Sequence, residues 1–540
     1  MSPSLEDRMK PLRALLLWLA CLAVPAAAAP DPGTGTGRPG TDTRALDRLF
    51  DQAMARYQLP GLAVGVIEDG QVAWVRTAGE LEAGGGAPVT PDTLFKIASN
   101  TKAMTTAVLA RLVDAGKLAW DDPVTRYLPD FRMYDPWVTA NIQVRDLLIH
   151  NSGLGLGAGD LMLWPEPNAF TRADIVAGLA YLRPTHSFRS HYAYDNLLYV
   201  VAGEVAAAAG GKPYEQLVRE QVFAPLGMTR CQVGRWRPAE VGNVAQPHMR
   251  QDGRNVPVRE DGDVVQDLPS TSAGGVRCSV RDMLTWMQAW LQPQRHPGWL
   301  SPAQRQALWK LATPMPISAR MRDWDGTHLY GYGYGWRLSD VDGQWKVAHT
   351  GTLMGMYSSL VLLPGRQDGF VILTNGEGEQ AREALGEALL KRFTRPGHPE
   401  LDVDHYAGLM ARAAQAAAHA AATPRLPDTS DRRPATAAEL QPWLGQWRDP
   451  WFGAVSLCPE ADGVAFRSAK SPLLHGRVMR TGTRWLVHWD EASVDAEPWL
   501  AFTVQDDGTR TLQLAAVDPD ADFSYDYADL HFTRTGGCGR

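Results

Sequence analysis

The first ordered stretch of the chain changes its hydrophobic period twice within thirty-odd positions. Over residues 44–57 the apolar Leu46, Leu49, Phe50 and Met54 recur three and four apart, which predicts a helix with one buried face. Leu62-Ala63-Val64-Gly65-Val66-Ile67, the pair Asp69-Gly70 and Val72-Ala73-Trp74-Val75 follow, and read as strand, tight turn and strand. A helix laid on an antiparallel hairpin predicts an α+β domain, an antiparallel sheet with helices, rather than an alternating parallel one. Further helices are predicted over residues 100–115 and from Ser279, where Asp282 three positions on gives a capping-box-like start. Strands are predicted at Tyr334-Gly335-Trp336, at Val347-Ala348-His349 and over residues 358–363 and 370–373, and a helix over 380–393 closes a domain spanning 44–394.

Beyond that point the pattern loosens. Residues 395–438 read as a connector, an alanine-loaded helical stretch over 402–422 followed by a polar, proline-containing linker over 424–434. Short apolar runs then alternate with Asp462-Gly463 and Asp507-Gly508 turns, which predicts a separate all-β, barrel-like domain over 439–540.

The amino terminus carries a different signal. Lys10 and Arg13 precede an eleven-residue apolar run, 14–24, and then Pro25 and four alanines. This is the order of a cleaved leader, so residues 1–29 are read as a signal peptide, with export to the periplasm or outside the cell as its consequence. Glu6 and Asp7 fit that leader poorly, and a start at Met9 would give a cleaner one; Trp18-Leu19-Ala20 before Cys21 matches a lipobox poorly. Residues 30–43, rich in Gly, Pro and Thr, read as a flexible lead-in. No other stretch is apolar enough for a stable membrane span. Cys231, Cys278, Cys458 and Cys538 remain, two in each domain, so Cys231–Cys278 and Cys458–Cys538 are the favoured pairs, with buried free thiols an equally good reading.

With 540 residues the chain is too long for one core, and 45% hydrophobic with 21% charged residues is the balance of an ordinary folded protein. A net charge of −7 and scattered Lys and Arg give no stripe for a nucleic-acid backbone, so nucleic acid is not an expected partner.

Three short segments carry chemistry. In Ser99-Asn100-Thr101-Lys102 the lysine lies one helical turn after the serine, where its amine reaches the hydroxyl. A serine hydroxyl needs a base to become a nucleophile, and a lysine serves as one if burial lowers its pKa. In Tyr194-Asp195-Asn196 the phenol can pass a proton between serine and leaving group, and the Asn196 amide can hold the lysine or a substrate. In His349-Thr350-Gly351-Thr352 a glycine at a strand edge admits a substrate carbonyl, with the backbone N–H of Thr352 and of Ser99 as an oxyanion hole. Each triplet alone has a plain structural reading, a helix cap, a half-buried tyrosine, a strand end. Asp518, Asp520, Asp522 and Asp529 suggest a calcium loop, but Phe523 stands where such a loop needs glycine and the Phe523, Tyr525, Tyr527 alternation reads as a strand. No metal and no cofactor are called for.

In this order the three segments resemble the S-x-x-K, Y-x-N and K/H-x-G elements of class C β-lactamases and related penicillin-binding-protein-like serine hydrolases. The likeness extends to Leu147-Leu148-Ile149-His150-Asn151-Ser152-Gly153-Leu154, Val222-Phe223-Ala224-Pro225-Leu226-Gly227-Met228, Ser272-Ala273-Gly274-Gly275 and Tyr332-Gly333-Tyr334-Gly335-Trp336. The final domain, through residues 447–453 and 522–530, is similar to the lipocalin-like domain often appended to these hydrolases. The resemblance implies a β-lactamase/penicillin-binding-protein-like fold and acyl transfer, with Ser99, Lys102 and Tyr194 catalytic and Asn196, His349, Gly351 and Thr352 binding substrate. It leaves the substrate open among esters, D-amino-acid peptides and β-lactams, and a non-catalytic binder is the alternative from another class. Because His349 stands where β-lactamases carry lysine, the permanent charge that would pair with a β-lactam carboxylate is expected to be missing, which favours an ester or a D-peptide.

Overall fold

The computed structural model describes residues 36–37, 40–258, 261–420, 426–460 and 463–539. The predicted hairpin, Gly61–Glu68 and Gln71–Gly79, lies inside a nine-stranded, wholly antiparallel sheet. Outward from Gly61–Glu68 on one side come Asp368–Thr374, Met356–Leu363, Gln344–Leu353, Arg337–Val341, Tyr330–Tyr332 and Thr313–Pro314. On the other come Gln71–Gly79 and the short edge strand Thr36–Gly37, paired Thr36 to Val75. The lead-in expected to be flexible thus contributes a strand, because the open edge of Gln71–Gly79 offers unpaired backbone groups. The expected leader, residues 1–29, lies outside the described residues.

Both faces of the sheet are covered, which is why Gly61–Glu68 reads as a continuous apolar run rather than an alternation. Leu62, Val64 and Val66 share one core with the helices Thr43–Tyr57, Glu379–Thr394 and the start of Val403–Ala420. Ala63 and Ile67 share another with Thr101–Asp114, Leu197–Gly210 and Val280–Leu291. Gly65 is needed there, since a Cβ would come 2.8 Å from Leu284. Ser279 caps Val280–Leu291 as its sequence predicts, accepting from the Asp282 amide at 3.1 Å. The strand expected at Tyr334-Gly335-Trp336 is instead the bend between Tyr330–Tyr332 and Arg337–Val341, with Gly335 at φ +78° and the Gly333 amide donating to the Trp336 carbonyl. Trp336 is fully buried against Trp286 and Trp290, so the bend anchors a tryptophan rather than extending a ladder.

The second sheet has nine strands: an up-and-down meander of eight, from Gly445–Asp449 to His531–Gly536, closed by pairing of the first with the last, and the short Arg433–Pro434 paired to His475–Thr481. Both disulfides form: Cys231–Cys278 within the first unit and Cys458–Cys538 within the barrel. No described helix is long and apolar enough to cross a membrane.

The barrel is built onto the first unit. Phe452 packs its ring 5.6 Å from Phe170, the Ala169 amide donates to the Lys470 carbonyl at 2.7 Å, and Lys470 pairs with Asp174 at 2.6 Å. Buried residues of the two units form one continuous apolar cluster. The segment expected as a strand around Phe523-Tyr525-Tyr527 is a loop ending in a single turn of 3-10 helix, Tyr527–Asp529. Asp518 and Asp522 close its turns by accepting from the amides of Asp520 and Ser524; Phe523, still partly exposed, reaches across the interface to Tyr194, while Tyr527 is buried within the barrel and donates to the Ala496 carbonyl. Since Phe452 is 1% exposed, Phe452→Ala is expected to cost about 3–5 kcal/mol and to leave one shared unfolding transition in denaturant; two separated transitions would show that the interface adds little.

Candidate active site

Ser99 lies in a tight turn, Ala98–Asn100, immediately before helix Thr101–Asp114. It does not cap that helix, and Ala98 before it is held at φ +49°, a left-handed conformation that costs a non-glycine residue on the order of 1–3 kcal/mol. Strand Gln344–Leu353 presses on this turn. A Cβ at Gly351 would sit 2.2 Å from the Ile97 carbonyl oxygen and 2.9 Å from Ala98 Cβ, so only glycine lets residues 349–352 lie beside the serine.

Lys102, one turn into the helix, is completely buried. Its Nζ lies 3.0 Å from Ser99 Oγ, 2.7 Å from Asn196 Oδ1 and 2.9 Å from the Ala273 carbonyl oxygen. Burial lowers its pKa to about 7, against the carboxylates of Asp160 and Asp195, which raise it, and with Arg337, which lowers it further. The two oxygens of Asn196 and Ala273 can only accept, so they hold N–H bonds in either protonation state. Once a proton leaves, the lone pair is left pointing at Ser99, the one partner able to donate. Tyr194 donates its hydroxyl to Ser99 Oγ at 2.8 Å, and burial raises its pKa, so it stays a phenol at neutral pH. The structure thus links Tyr194, Ser99, Lys102 and Asn196 in that order by hydrogen bonds, an arrangement able to move the serine proton away and return it to a leaving group.

His349 is placed differently. Its Nδ1 sits 2.6 Å from the Thr350 carbonyl, which can only accept, so Nδ1 carries the hydrogen and Nε2 accepts from the Tyr332 hydroxyl at 2.8 Å. The ring is 1% exposed, and burial, with Arg337 and Lys102, holds its pKa well below the usual range. Both nitrogens are used inside the protein, so the imidazole offers a ligand no free donor or acceptor.

The expectation that this site lacks a permanent positive charge is corrected by Arg337. This guanidinium, on the neighbouring strand, lines the cleft with Ser99, donates to Thr350 Oγ1 at 3.2 Å, and has tyrosines rather than carboxylates as its main electrostatic neighbours. Arg382 adds a second charge, donating at 2.9 Å to the Gly351 carbonyl and to Thr352 Oγ1. Arg337 directly follows the glycine- and tyrosine-rich segment singled out in the sequence; nothing local marked Arg382, or Asp160 behind Asn196. The cleft has a volume of about 810 Å³, and the barrel loop supplies part of its wall through Asp522, Phe523, Ser524 and Tyr525.

The family model described as Beta-lactamase matches residues 46–395. The chain is 29% identical over 357 residues to "Unguisins hydrolase ungD'" of Aspergillus campestris, covering 63% of this chain and 63% of that protein. It is 29% identical over 254 residues to the "D-alanyl-D-alanine-carboxypeptidase/endopeptidase AmpH" of Escherichia coli K12, covering 46% of this chain and 61% of the relative. The matched regions therefore span less than two thirds of both relatives. The fold is shared with the octameric penicillin-binding protein homologue of Pyrococcus abyssi, at a TM-score of 0.58 and 18% identity, over 92% of this chain and all of that one.

The surroundings of His349 generate a prediction. His349→Lys places an ammonium in the same buried space as Arg337 and Lys102 and removes the acceptor of Tyr332, and is expected to destabilise the fold by several kcal/mol rather than improve anion binding. An unchanged melting temperature would show that a side chain at this position reaches the cleft after all.

Proposed function

The chain belongs to the Beta-lactamase family of serine hydrolases, and on that premise we propose that it hydrolyses a D-amino-acid peptide with a free carboxylate on its leaving side, with Ser99 as nucleophile. The observation that carries the mechanism is the convergence of Lys102 and Tyr194 on Ser99 Oγ at 3.0 and 2.8 Å. Neutral Lys102 takes the hydroxyl proton as Oγ attacks the carbonyl carbon. The backbone N–H groups of Ser99 and Thr352 receive the oxyanion. The C–N bond breaks as Tyr194 passes a proton to the departing amine and regains one from Lys102, leaving an acyl-serine. Water, deprotonated by the same pair, then releases the acid.

Arg337 supports the choice of substrate. A half-buried cation lining the same cleft as the nucleophile, hydrogen-bonded only to neutral groups, is matched by a ligand carboxylate, and Thr350 Oγ1 stands ready as a further partner. The carboxypeptidase activity in the name of the Escherichia coli relative agrees with this. Esters remain chemically competent in the same site but leave Arg337 without a partner. The complete proton-transfer set argues against a mere binder. We also read the protein as exported: the leader pattern of residues 1–29 and the two disulfides both suit an oxidising compartment. The closed eight-strand meander supports the lipocalin-like reading of the final domain.

Ser99→Ala is expected to abolish turnover and fluorophosphonate labelling while the circular dichroism stays unchanged, and wild-type kcat/KM should rise from acid pH through a midpoint near 7, where Lys102 loses its proton. Hydrolysis by the Ala variant would remove Ser99 from the mechanism. Arg337→Gln is expected to lower kcat/KM for an acyl-D-alanyl-D-alanine by at least about 30-fold while a neutral ester changes by less than about threefold, the effect of unpairing a buried carboxylate. Equal losses on both substrates would show that Arg337 only holds the fold.

A further inference from the structure

Behind the proposed catalytic lysine, hydrogen bonds run out of the first unit and into the barrel. Lys102 Nζ meets Asn196 Oδ1 at 2.7 Å, and the same amide donates through Nδ2 to Asp160 Oδ2 at 2.8 Å. Asp160 Oδ2 takes a second hydrogen bond, at 2.9 Å, from the hydroxyl of Ser524 in the barrel loop. Asp160 is fully buried, and its other oxygen has no hydrogen-bond partner, so Asn196 and Ser524 are the only donors its carboxyl has among the described residues. The loop is seated firmly. Gly157, at φ +70°, donates its amide to the Tyr194 carbonyl at 2.9 Å, and a Cβ there would come 2.5 Å from the Phe523 carbonyl oxygen. The Phe523 ring meets Tyr194 edge-on at 6.0 Å, and Asp526 accepts from the Gly159 amide at 2.6 Å, next to Asp160.

We propose that Ser524 is a positioning residue of the hydrolase site: through Asp160 and Asn196 it fixes the orientation and the charge balance of Lys102, so that the catalytic centre is complete only with the barrel docked. This rests on the reading of Lys102 as the base for Ser99. An asparagine amide can present either its oxygen or its NH2 to a neighbour. A carboxylate acceptor behind it selects the orientation with NH2 outward, which turns the oxygen toward the lysine. The hydroxyl of Ser524 holds that carboxylate in place and favours its ionised form.

The sign of the pH effect follows from the groups present. Lys102 is faced by Asp160, Asp195, Arg337, His150, His349, Tyr194 and Tyr199; Asp160 is faced by Lys102, Asp195 and Asp526. Burial pushes the carboxyls of Asp160, Asp195 and Asp526 upward and the two imidazoles downward, and at Asp160 the hydrogen bonds from Asn196 and Ser524 oppose that shift, so they decide how much negative charge it holds near Lys102. Removing the Ser524 hydroxyl makes Asp160 easier to protonate, weakens the pull on the ammonium, and lowers the pH at which Lys102 becomes a base.

The test uses the full chain and a p-nitrophenyl ester as probe substrate. Ser524→Ala is expected to move the acidic limb of kcat/KM down by about half a pH unit and to lower kcat about tenfold with little change in KM. Ser524→Thr, which keeps the hydroxyl, should restore both. Asp160→Asn should move the limb further in the same direction, and it carries the test if the alanine variant fails to fold. A limb that stays at the wild-type pH in Ser524→Ala and Asp160→Asn, or a loss confined to KM, would overturn the proposal and leave the loop as packing alone. Failure of wild-type Ser99 to take a fluorophosphonate label would instead overturn the underlying assignment of the site, which intact-mass measurement detects separately.

Discussion

A primary amine with no solvent exposure is the constraint around which this molecule is arranged. Burying Lys102 as an ammonium costs several kcal/mol unless partners replace its hydration. The protein supplies three, Ser99, Asn196 and the Ala273 carbonyl, and two carboxyl groups at longer range. The balance leaves the amine near neutrality rather than firmly charged, which is what a general base requires. Each partner comes from a different element: the turn before helix Thr101–Asp114, the start of helix Leu197–Gly210 and the segment Thr271–Gly274.

The same economy explains the histidine in the K/H-x-G position. A lysine there would add a third cation to the space that holds Lys102 and Arg337. A neutral imidazole, with one nitrogen donating to the Thr350 carbonyl and the other accepting from Tyr332, keeps the strand in place without adding charge. A permanent positive charge lines the cleft one strand outward, at Arg337, where the buried Trp336 fixes the backbone and Thr350 Oγ1 takes one N–H.

The barrel belongs to this arrangement too. Its loop contributes part of the cleft wall and a hydrogen bond to Asp160, which Asn196 joins to Lys102 beside Ser99, and the barrel's apolar residues run into the same buried cluster as the first unit. A chain of this length could hold two cores joined only by a tether, yet here the cores meet beside the site.

Much of this was legible from the sequence alone. The changes of period predicted the helix on a hairpin and the α+β class, because burying one face of a helix or both faces of a strand leaves a local record. The strands of the barrel and the cap at Ser279 were legible for the same reason. Local spacing suggested the pairs Ser99 with Lys102 and Tyr194 with Asn196, and it was the resemblance of the three segments, in order, to a known family that joined them into one candidate site. The edge strand at Thr36–Gly37, the bend at Tyr334-Gly335-Trp336 and the loop at Phe523 were misread, since each takes its form from a partner remote in sequence. Burial and charge are sums over neighbours from many elements, so only the tertiary structure decided that His349 turns its nitrogens inward, that Arg337 faces the cleft and that Asp160 joins Asn196 to Ser524. Residue 160 and residue 524 are 364 positions apart, and no periodicity or motif spans that distance; the hydrogen bond between them exists only because the barrel docks where it does.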